Sequence, residues 1–253
     1  MIKLRIEAFT QPGHARDHNE DRLLIGNEII RDGVVRMDMR IEEGDRLLLA
    51  IADGMGGHQA GEVAAEMVLG LFRDKVALLN RGLTEEQLEQ WIYNTADEIH
   101  MRLLEEGASD PHKKGMGSTL VGLLFYEARI YYINVGDSRL YRFRDGYVVQ
   151  VSRDQSLRAL TGVESKVILN CFGGKEGKIY VEFNAVGGRY FEDDVLFLCS
   201  DGFSDVVSEE EIEALLARKD NALDQILDVL KQRQARDDAS AIIVRIKTPD
   251  QVV

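Results

Sequence analysis

The sequence has 253 residues, 45% of them apolar, and carries 44 Asp and Glu against 31 Lys and Arg, a formal charge of −13. There is enough apolar material for one large domain spanning 1–253, while the acidity leaves no basic face for neutralising phosphates and excludes nucleic acid as the expected partner. No segment approaches the roughly 18 consecutive apolar residues of a membrane span, and the opening Met1-Ile2-Lys3-Leu4-Arg5-Ile6-Glu7 alternates like a strand, so the expectation is a cytoplasmic protein with no membrane contact.

Alternation over residues 2–10, with Leu4, Ile6 and Ala8 on one side and Lys3, Arg5 and Glu7 on the other, predicts a half-exposed first strand. Leu23-Leu24-Ile25 reads as the second strand and residues 45–52 as the third. After a glycine-rich loop, the spacing of Val63, Met67, Val68, Leu71 and Phe72 predicts a helix running to about Leu79. A second helix starts at the capping box Thr84-Glu85-Glu86-Gln87 and buries Trp91, Ala96, Ile99 and Leu103. Residues 107–115 read as a flexible loop. Strands follow at 118–126, 129–135, 140–144 and 147–151, the last two joined by Asp145-Gly146, a two-residue hairpin signal. Further strands at 178–183, 195–199 and 241–246 enclose a helical stretch from the capping box Ser208-Glu209-Glu210-Glu211 to about Gln234. Helices in two blocks among antiparallel strands give an α+β sandwich as the expected fold class. Cys171 and Cys199 lie in apolar surroundings and are expected to be buried free thiols, and the tail 249–253 is expected to fray.

Four acidic motifs are spread along the chain: Asn19-Glu20-Asp21, Asp53-Gly54-Met55-Gly56-Gly57-His58, Ser200-Asp201-Gly202 and Arg236-Asp237-Asp238. They adjoin runs such as Leu47-Leu48-Leu49-Ala50-Ile51-Ala52 and Val195-Leu196-Phe197-Leu198-Cys199, which must be buried. Two carboxylates about 4 Å apart repel by roughly 4 kcal/mol at an effective dielectric of about 20, so several converging ones take up protons, spread apart or hold a cation. Oxygen donors without Cys or His clusters favour Mg²⁺ or Mn²⁺ over zinc.

In order and spacing, Arg16-x-x-x-Glu20-Asp21, Asp53-Gly54-Met55-Gly56-Gly57-His58, Gly117-Ser118-Thr119-Leu120, Val135-Gly136-Asp137-Ser138-Arg139, Ser200-Asp201-Gly202 and Arg236-Asp237-Asp238 resemble the metal-dependent, type 2C serine/threonine protein phosphatases in their bacterial form, over about residues 10–246. The resemblance implies an α-β-β-α sandwich of two central, mostly antiparallel sheets flanked by helices, with two Mn²⁺ or Mg²⁺ ions at one end. It implies that Asp53 bridges both ions, the Gly54 carbonyl binds one, and Asp201 with Asp237 holds the other. Glu20 and Asp21 are implied to act through metal-bound waters, and Arg16 to bind phosphate. Asp137 matches the position that joins Asp201 in binding a third ion; a turn residue after the strand at 129–135 is the other reading of it. The implied activity is hydrolysis of phosphoserine and phosphothreonine in phosphorylated proteins by one-step attack of a metal-bridging hydroxide, with Asp53 and Asp201 catalytic. A monomer opposing a cognate Ser/Thr kinase is the expected context.

The sequence departs from the family at four places. Met55 follows the Asp-Gly pair where many relatives have histidine, so His58 is read as structural, and the leaving group takes its proton from a metal-bound water or from His14 or His18. Asp154-Gln155-Ser156 replaces an Asp-His-Ser. Asp238 replaces an Asn, an added carboxylate expected to alter metal affinity or pH dependence. Residues 155–172 read as a shortened flap, the segment beside the active site that helps choose substrates. Asp205 suits either a site-facing carboxylate or a helix cap. Two rival classes fit less well: a non-catalytic phosphoprotein scaffold, opposed by intact Asp53, Asp201 and Asp237, and a nucleotide binder, opposed because Gly54-x-Gly56-Gly57-x-x-x-Gly61 matches neither a dinucleotide fingerprint nor a P-loop.

Overall fold

The computed structural model describes residues 2–56, 60–127, 129–187 and 193–247; His58 and the tail 249–253 lie outside them. In chain order the elements are β1 (Ile2–Gln11), β2 (Asp21–Ile25), β3 (Glu28–Ile30), β4 (Gly33–Ile41), β5 (Arg46–Met55), α1 (Ala60–Ala77), α2 (Glu85–Ser109), β6 (Gly117–Ser118), β7 (Leu120–Tyr126), β8 (Arg129–Val135), β9 (Arg139–Arg144) and β10 (Tyr147–Gln150). They continue with α3 (Leu157–Thr161), β11 (Phe172–Gly173), β12 (Glu182–Ala185), β13 (Val195–Cys199), α4 (Asp201–Ser204), α5 (Glu209–Leu216), α6 (Ala222–Arg233) and β14 (Ala239–Lys247).

Period-two alternation sorts these strands into layers. On β5, Leu49 and Ile51 meet Leu4, Ile6, Leu198, Ile242 and Val244 in a core between two sheets, while Leu48, Ala50 and Ala52 face the other way against Ala64, Val68 and Phe72 of α1. On β14, Ile242 and Val244 enter that central core, while Ala241 and Ile243 pack with Ile226 and Leu230 of α6. Three apolar clusters therefore separate four layers, helices outside and sheets inside. One sheet runs β10-β9-β13-β14-β1-β4; the other runs β11-β6-β5-β7-β8-β12, with β2 joining β5 and carrying β3. Every strand pair among the described residues is antiparallel. This is the expected α+β fold, an α-β-β-α sandwich.

The capping boxes at Thr84 and Ser208 form as expected, each with a reciprocal pair of side-chain to backbone hydrogen bonds. Several boundaries differ from the sequence reading. The stretch 208–234 is two helices, α5 and α6, each burying one apolar stripe, and the loop expected from residue 107 is helical to Ser109. The strand expected at 178–183 is β12, four residues later at its start. The strand expected at 118–126 is broken at Thr119, and that break serves the site described below. β4 escapes the sequence reading because Arg36, Asp38 and Arg40 alternate with residues that stay half-exposed on an edge strand. Cys199 is buried as expected, but Cys171 is only partly so.

Candidate metal centre

The antiparallel register of β2 and β5 sets Asp21 directly opposite Asp53. Their strands are held by apolar side chains on both faces, so the two carboxylates emerge together at one end of the sandwich. The break at Thr119 fastens this end: its amide donates to the Asp53 carbonyl at 2.9 Å and its Oγ1 accepts from the Asp53 amide at 3.1 Å. Beyond it, Gly54 pairs with Ser118 of β6 and donates to the Glu20 carbonyl at 3.2 Å. A side chain on Gly54 would strike the Gly61 carbonyl, so Gly54 packs directly against the first turn of α1.

Asp201 opens α4 immediately after β13, and Asp237 and Asp238 precede β14. A line of buried hydroxyls ties these segments to β2. The Ser200 hydroxyl donates to Asp21 Oδ2 at 2.8 Å and accepts from the Ser240 amide at 3.0 Å, and the Ser240 hydroxyl donates to Thr10 Oγ1 at 2.8 Å. Asn19 completes it, donating to Thr10 Oγ1 at 2.8 Å. Thr10 and Ser240 carry no acidic signal of their own, and only the folded register reveals them.

The structure brings together Asp21, Asp53, Asp137, Asp201 and Asp237. Burial, then the charges of Asp21, Asp201, Asp137 and Asp237, pushes the Asp53 carboxyl well above the ordinary range. Burial raises the Asp201 carboxyl as well, against the opposing charge of Lys166 and with the added repulsion of Asp237 and Asp205. Burial followed by Asp201 raises Asp137 to about 7. Three buried oxygens, Glu20 Oε1, Asp21 Oδ1 and Asp137 Oδ1, have no hydrogen-bond partner. No three His, Cys, Asp or Glu side chains among the described residues close on one point. Basic side chains hold the cluster instead. Arg16 Nη2 lies 2.5 Å from Asp237 Oδ1, and Lys166 Nζ lies 3.5 Å from Asp201 Oδ2 while pairing with Asp205.

These observations fit divalent cations. The donors are hard oxygens, several lone pairs are unused, and the charge that neighbouring carboxylates repel is what a cation would relieve.

The remaining expectations resolve as follows. Asp238 is 3% exposed and accepts from the Gly13 amide at 2.9 Å, the Glu20 amide at 2.8 Å and Arg16 Nη1 at 3.2 Å. Gln155 accepts from the Gly136 amide at 2.8 Å and from Asn170 Nδ2 at 2.5 Å, locking the turn before Asp137 to the far end of the flap. Arg139, a residue the sequence reading left without a role, forks onto both Asp154 oxygens at 2.7 to 3.1 Å. Asp205 faces the site: with Asp137, Asp201, Arg158 and Lys166 it lines a cavity of about 610 Å³ beside α4. His14 lines a cavity against α6.

The sequence profile of the family described as Protein phosphatase 2C matches residues 25–242. The serine/threonine phosphatase stp of Listeria monocytogenes is 31% identical over 229 residues, covering 85% of this chain and 84% of that one. The structure of serine/threonine phosphatase Stp1 from Staphylococcus aureus is similar at a TM-score of 0.77 and 27% identity, covering 98% of this chain and 96% of that chain. PstP of Mycobacterium tuberculosis is 30% identical over 230 residues, 85% of this chain and 39% of that protein. A solved PstP catalytic domain in complex with two manganese ions has a TM-score of 0.74 at 25% identity, covering 98% of this chain and 100% of that chain.

Proposed function

The chain belongs to the bacterial protein phosphatase 2C family and is a metal-dependent serine/threonine protein phosphatase, and from that premise we propose that Asp53, Asp201, Asp237 and the Gly54 carbonyl hold two Mn²⁺ or Mg²⁺ ions for hydrolysis of phosphoserine and phosphothreonine. The observation that carries this assignment is the register that sets Asp21 opposite Asp53 at one end of the sandwich, with unpartnered buried oxygens on Glu20, Asp21 and Asp137 beside it, a set of hard donors whose charge cations would relieve. When bound, such ions supply positive charge for the phosphoryl oxygens and a water acidic enough to attack in line as hydroxide, without a phosphoenzyme.

The chain's own residues supply position. Asp53 and Asp21 are fixed by the β2–β5 register, Asp201 by its place at the start of α4. Arg16 presents a planar fork suited to two phosphate oxygens, and Asp238 holds one of its nitrogens while Asp237 gives up the other. Glu20 and Asp21, each with an unpartnered buried oxygen, orient water around the ions, and Asp137 with Asp201 takes a third ion. In this reading residues 1–253 form one catalytic domain, the flap lies within 155–172, and the enzyme is a cytoplasmic monomer opposing a Ser/Thr kinase. No described helix is long and apolar enough to cross a membrane.

The test is hydrolysis of a phosphothreonine peptide by wild type and D201N, with Mn²⁺ and with excess chelator. Turnover by the metal-loaded wild type alone is expected; equal turnover with chelator would overturn the assignment.

A further inference from the structure

A glycine-rich loop, Phe172-Gly173-Gly174-Lys175-Glu176-Gly177-Lys178, leaves β11 and returns towards β12. It turns at positive φ on Gly173, Gly174 and Gly177. Asn170 clasps its base, accepting from the Tyr180 amide at 3.1 Å and donating to the Tyr180 carbonyl at 2.7 Å. Between loop, α2 and β5 lies a cavity of about 270 Å³ lined by Met55, His100, Cys171, Lys175, Glu176 and Lys178, among others.

The polar groups here are mostly donors. Arg16, Arg139 and Lys166 around the carboxylates are each paired with acids, but the ammonium groups of Lys175 and Lys178 make no hydrogen bond or ion pair with a described residue, the Lys175 amide alone donating to the Gly173 carbonyl at 2.8 Å. His100, 4% exposed, accepts from the Gly173 amide at Nδ1 at 3.1 Å, so its ring proton sits on Nε2. His100 Nε2 is buried and has no hydrogen-bond partner. Glu176 is the one carboxylate among the described residues lining the cavity. Two unpaired ammonium groups and a buried N–H around one acid suit an anion.

The strand spacing between β5 and the loop sets how far such an anion lies from the residue after Gly54. β6 pairs with β5 on one side and with β11 on the other, setting Met55 opposite Gly117 and Gly117 opposite Gly173. The loop thus starts two strand spacings, about 10 Å, from the residue that follows Gly54. An extended peptide covers that span in about three residues. We propose that the loop bearing Lys175 and Lys178 is an anion subsite that receives a second phosphoryl group or carboxylate of the substrate, about three or four residues from the phosphoresidue being hydrolysed. The inference rests on the phosphatase reading of the carboxylate cluster.

The experiment compares kcat/KM, with Mn²⁺, for a phosphothreonine peptide and for versions carrying a second phosphoserine two to six residues away on either side. Wild type, K175A/K178A, K175E/K178E and the distant surface control K231A are tested, with p-nitrophenyl phosphate as a small substrate. Two partly screened charge pairs correspond to about a tenfold preference for the doubly phosphorylated peptide at the matching spacing. That preference is expected to vanish in K175A/K178A, reverse in K175E/K178E and persist in K231A. Equal rates at every spacing in wild type, or an unchanged preference in K175A/K178A, would overturn the subsite. If wild type hydrolyses neither p-nitrophenyl phosphate nor any peptide, the phosphatase reading fails instead. If peptides are not discriminated but inhibition by inorganic phosphate weakens in K175A/K178A, the loop holds free phosphate and its assignment to substrate is wrong.

Discussion

Asp238 Oδ2 lies 3.2 Å from Arg16 Nη1 and also accepts from the Glu20 amide at 2.8 Å, so one buried carboxylate fixes both the arginine and the backbone that leads into β2. The carboxylate that distinguishes this chain from the family pattern is thus surrounded by donors. Asn at this position has one acceptor oxygen for what are now contacts to Gly13, Glu20 and Arg16. D238N is expected to raise KM for a phosphopeptide about tenfold with a smaller change in kcat, because a charge-assisted hydrogen bond is worth about 1.5–3 kcal/mol. A variant with wild-type KM would show that Asp238 does not position Arg16.

Asp201 carries an opposite pair of effects. Without metal it crowds Asp53 and Asp237, so D201N should raise the melting temperature measured in chelator, by about 0.5–2 kcal/mol of stability. With Mn²⁺ the same variant should lose about 10³-fold in turnover. A site built only for structure predicts the reverse sign for stability. Calorimetry with chelator and steady-state kinetics with Mn²⁺ therefore read two independent properties of one substitution.

The main features of this centre are legible in the sequence because carboxylates beside apolar strands are conspicuous. Asp53 and Asp201 needed only the runs Leu47-Leu48-Leu49-Ala50-Ile51-Ala52 and Val195-Leu196-Phe197-Leu198-Cys199 to be noticed. The supporting groups were not legible, because hydroxyls and amides are ordinary until a register brings them together. Thr10 and Ser240 stand 230 positions apart and meet only because β1 pairs with β14. Lys166 was equally hidden, since nothing in the spacing of residues 155–172 shows that its ammonium reaches Asp201 and Asp205. On the fold side, alternation located most strands but missed β4, where Arg36, Asp38 and Arg40 line one exposed face and the residues between them stay partly exposed on an edge strand.

Metal and pH should be linked. The Asp137 carboxyl is raised by burial from its ordinary value of 3.8 to about 7, and Asp21 and Asp53 are raised as well. A carboxyl raised in the fold leaves stability intact below the unfolded value and removes it as pH climbs towards the folded value. Each such group costs the metal-free protein about 1.4 kcal/mol per pH unit in that window. Divalent cations favour the ionised form, so the rise in melting temperature on adding Mn²⁺ should grow from pH 5 to pH 7. A D137N variant should show a shallower rise; an increment independent of pH would contradict the linkage.

Lys166, within residues 155–172, brings an internal cation to the carboxylates. Its Nζ lies 3.5 Å from Asp201 Oδ2 and pairs with Asp205, which Arg158 Nη1 also approaches at 3.7 Å. The third ion proposed between Asp137 and Asp201 would compete with that ammonium, whose side chain is 68% exposed. K166M should tighten the weakest Mn²⁺ association about threefold to tenfold in calorimetric titration, the range of a partly screened ion pair of about 0.7–1.4 kcal/mol. Mn²⁺ association at the proposed Asp53 and Asp237 positions should be unchanged. K166R, which keeps the charge, should bind Mn²⁺ as wild type does. If K166M and wild type give the same isotherm, the flap lysine does not contest the ion site.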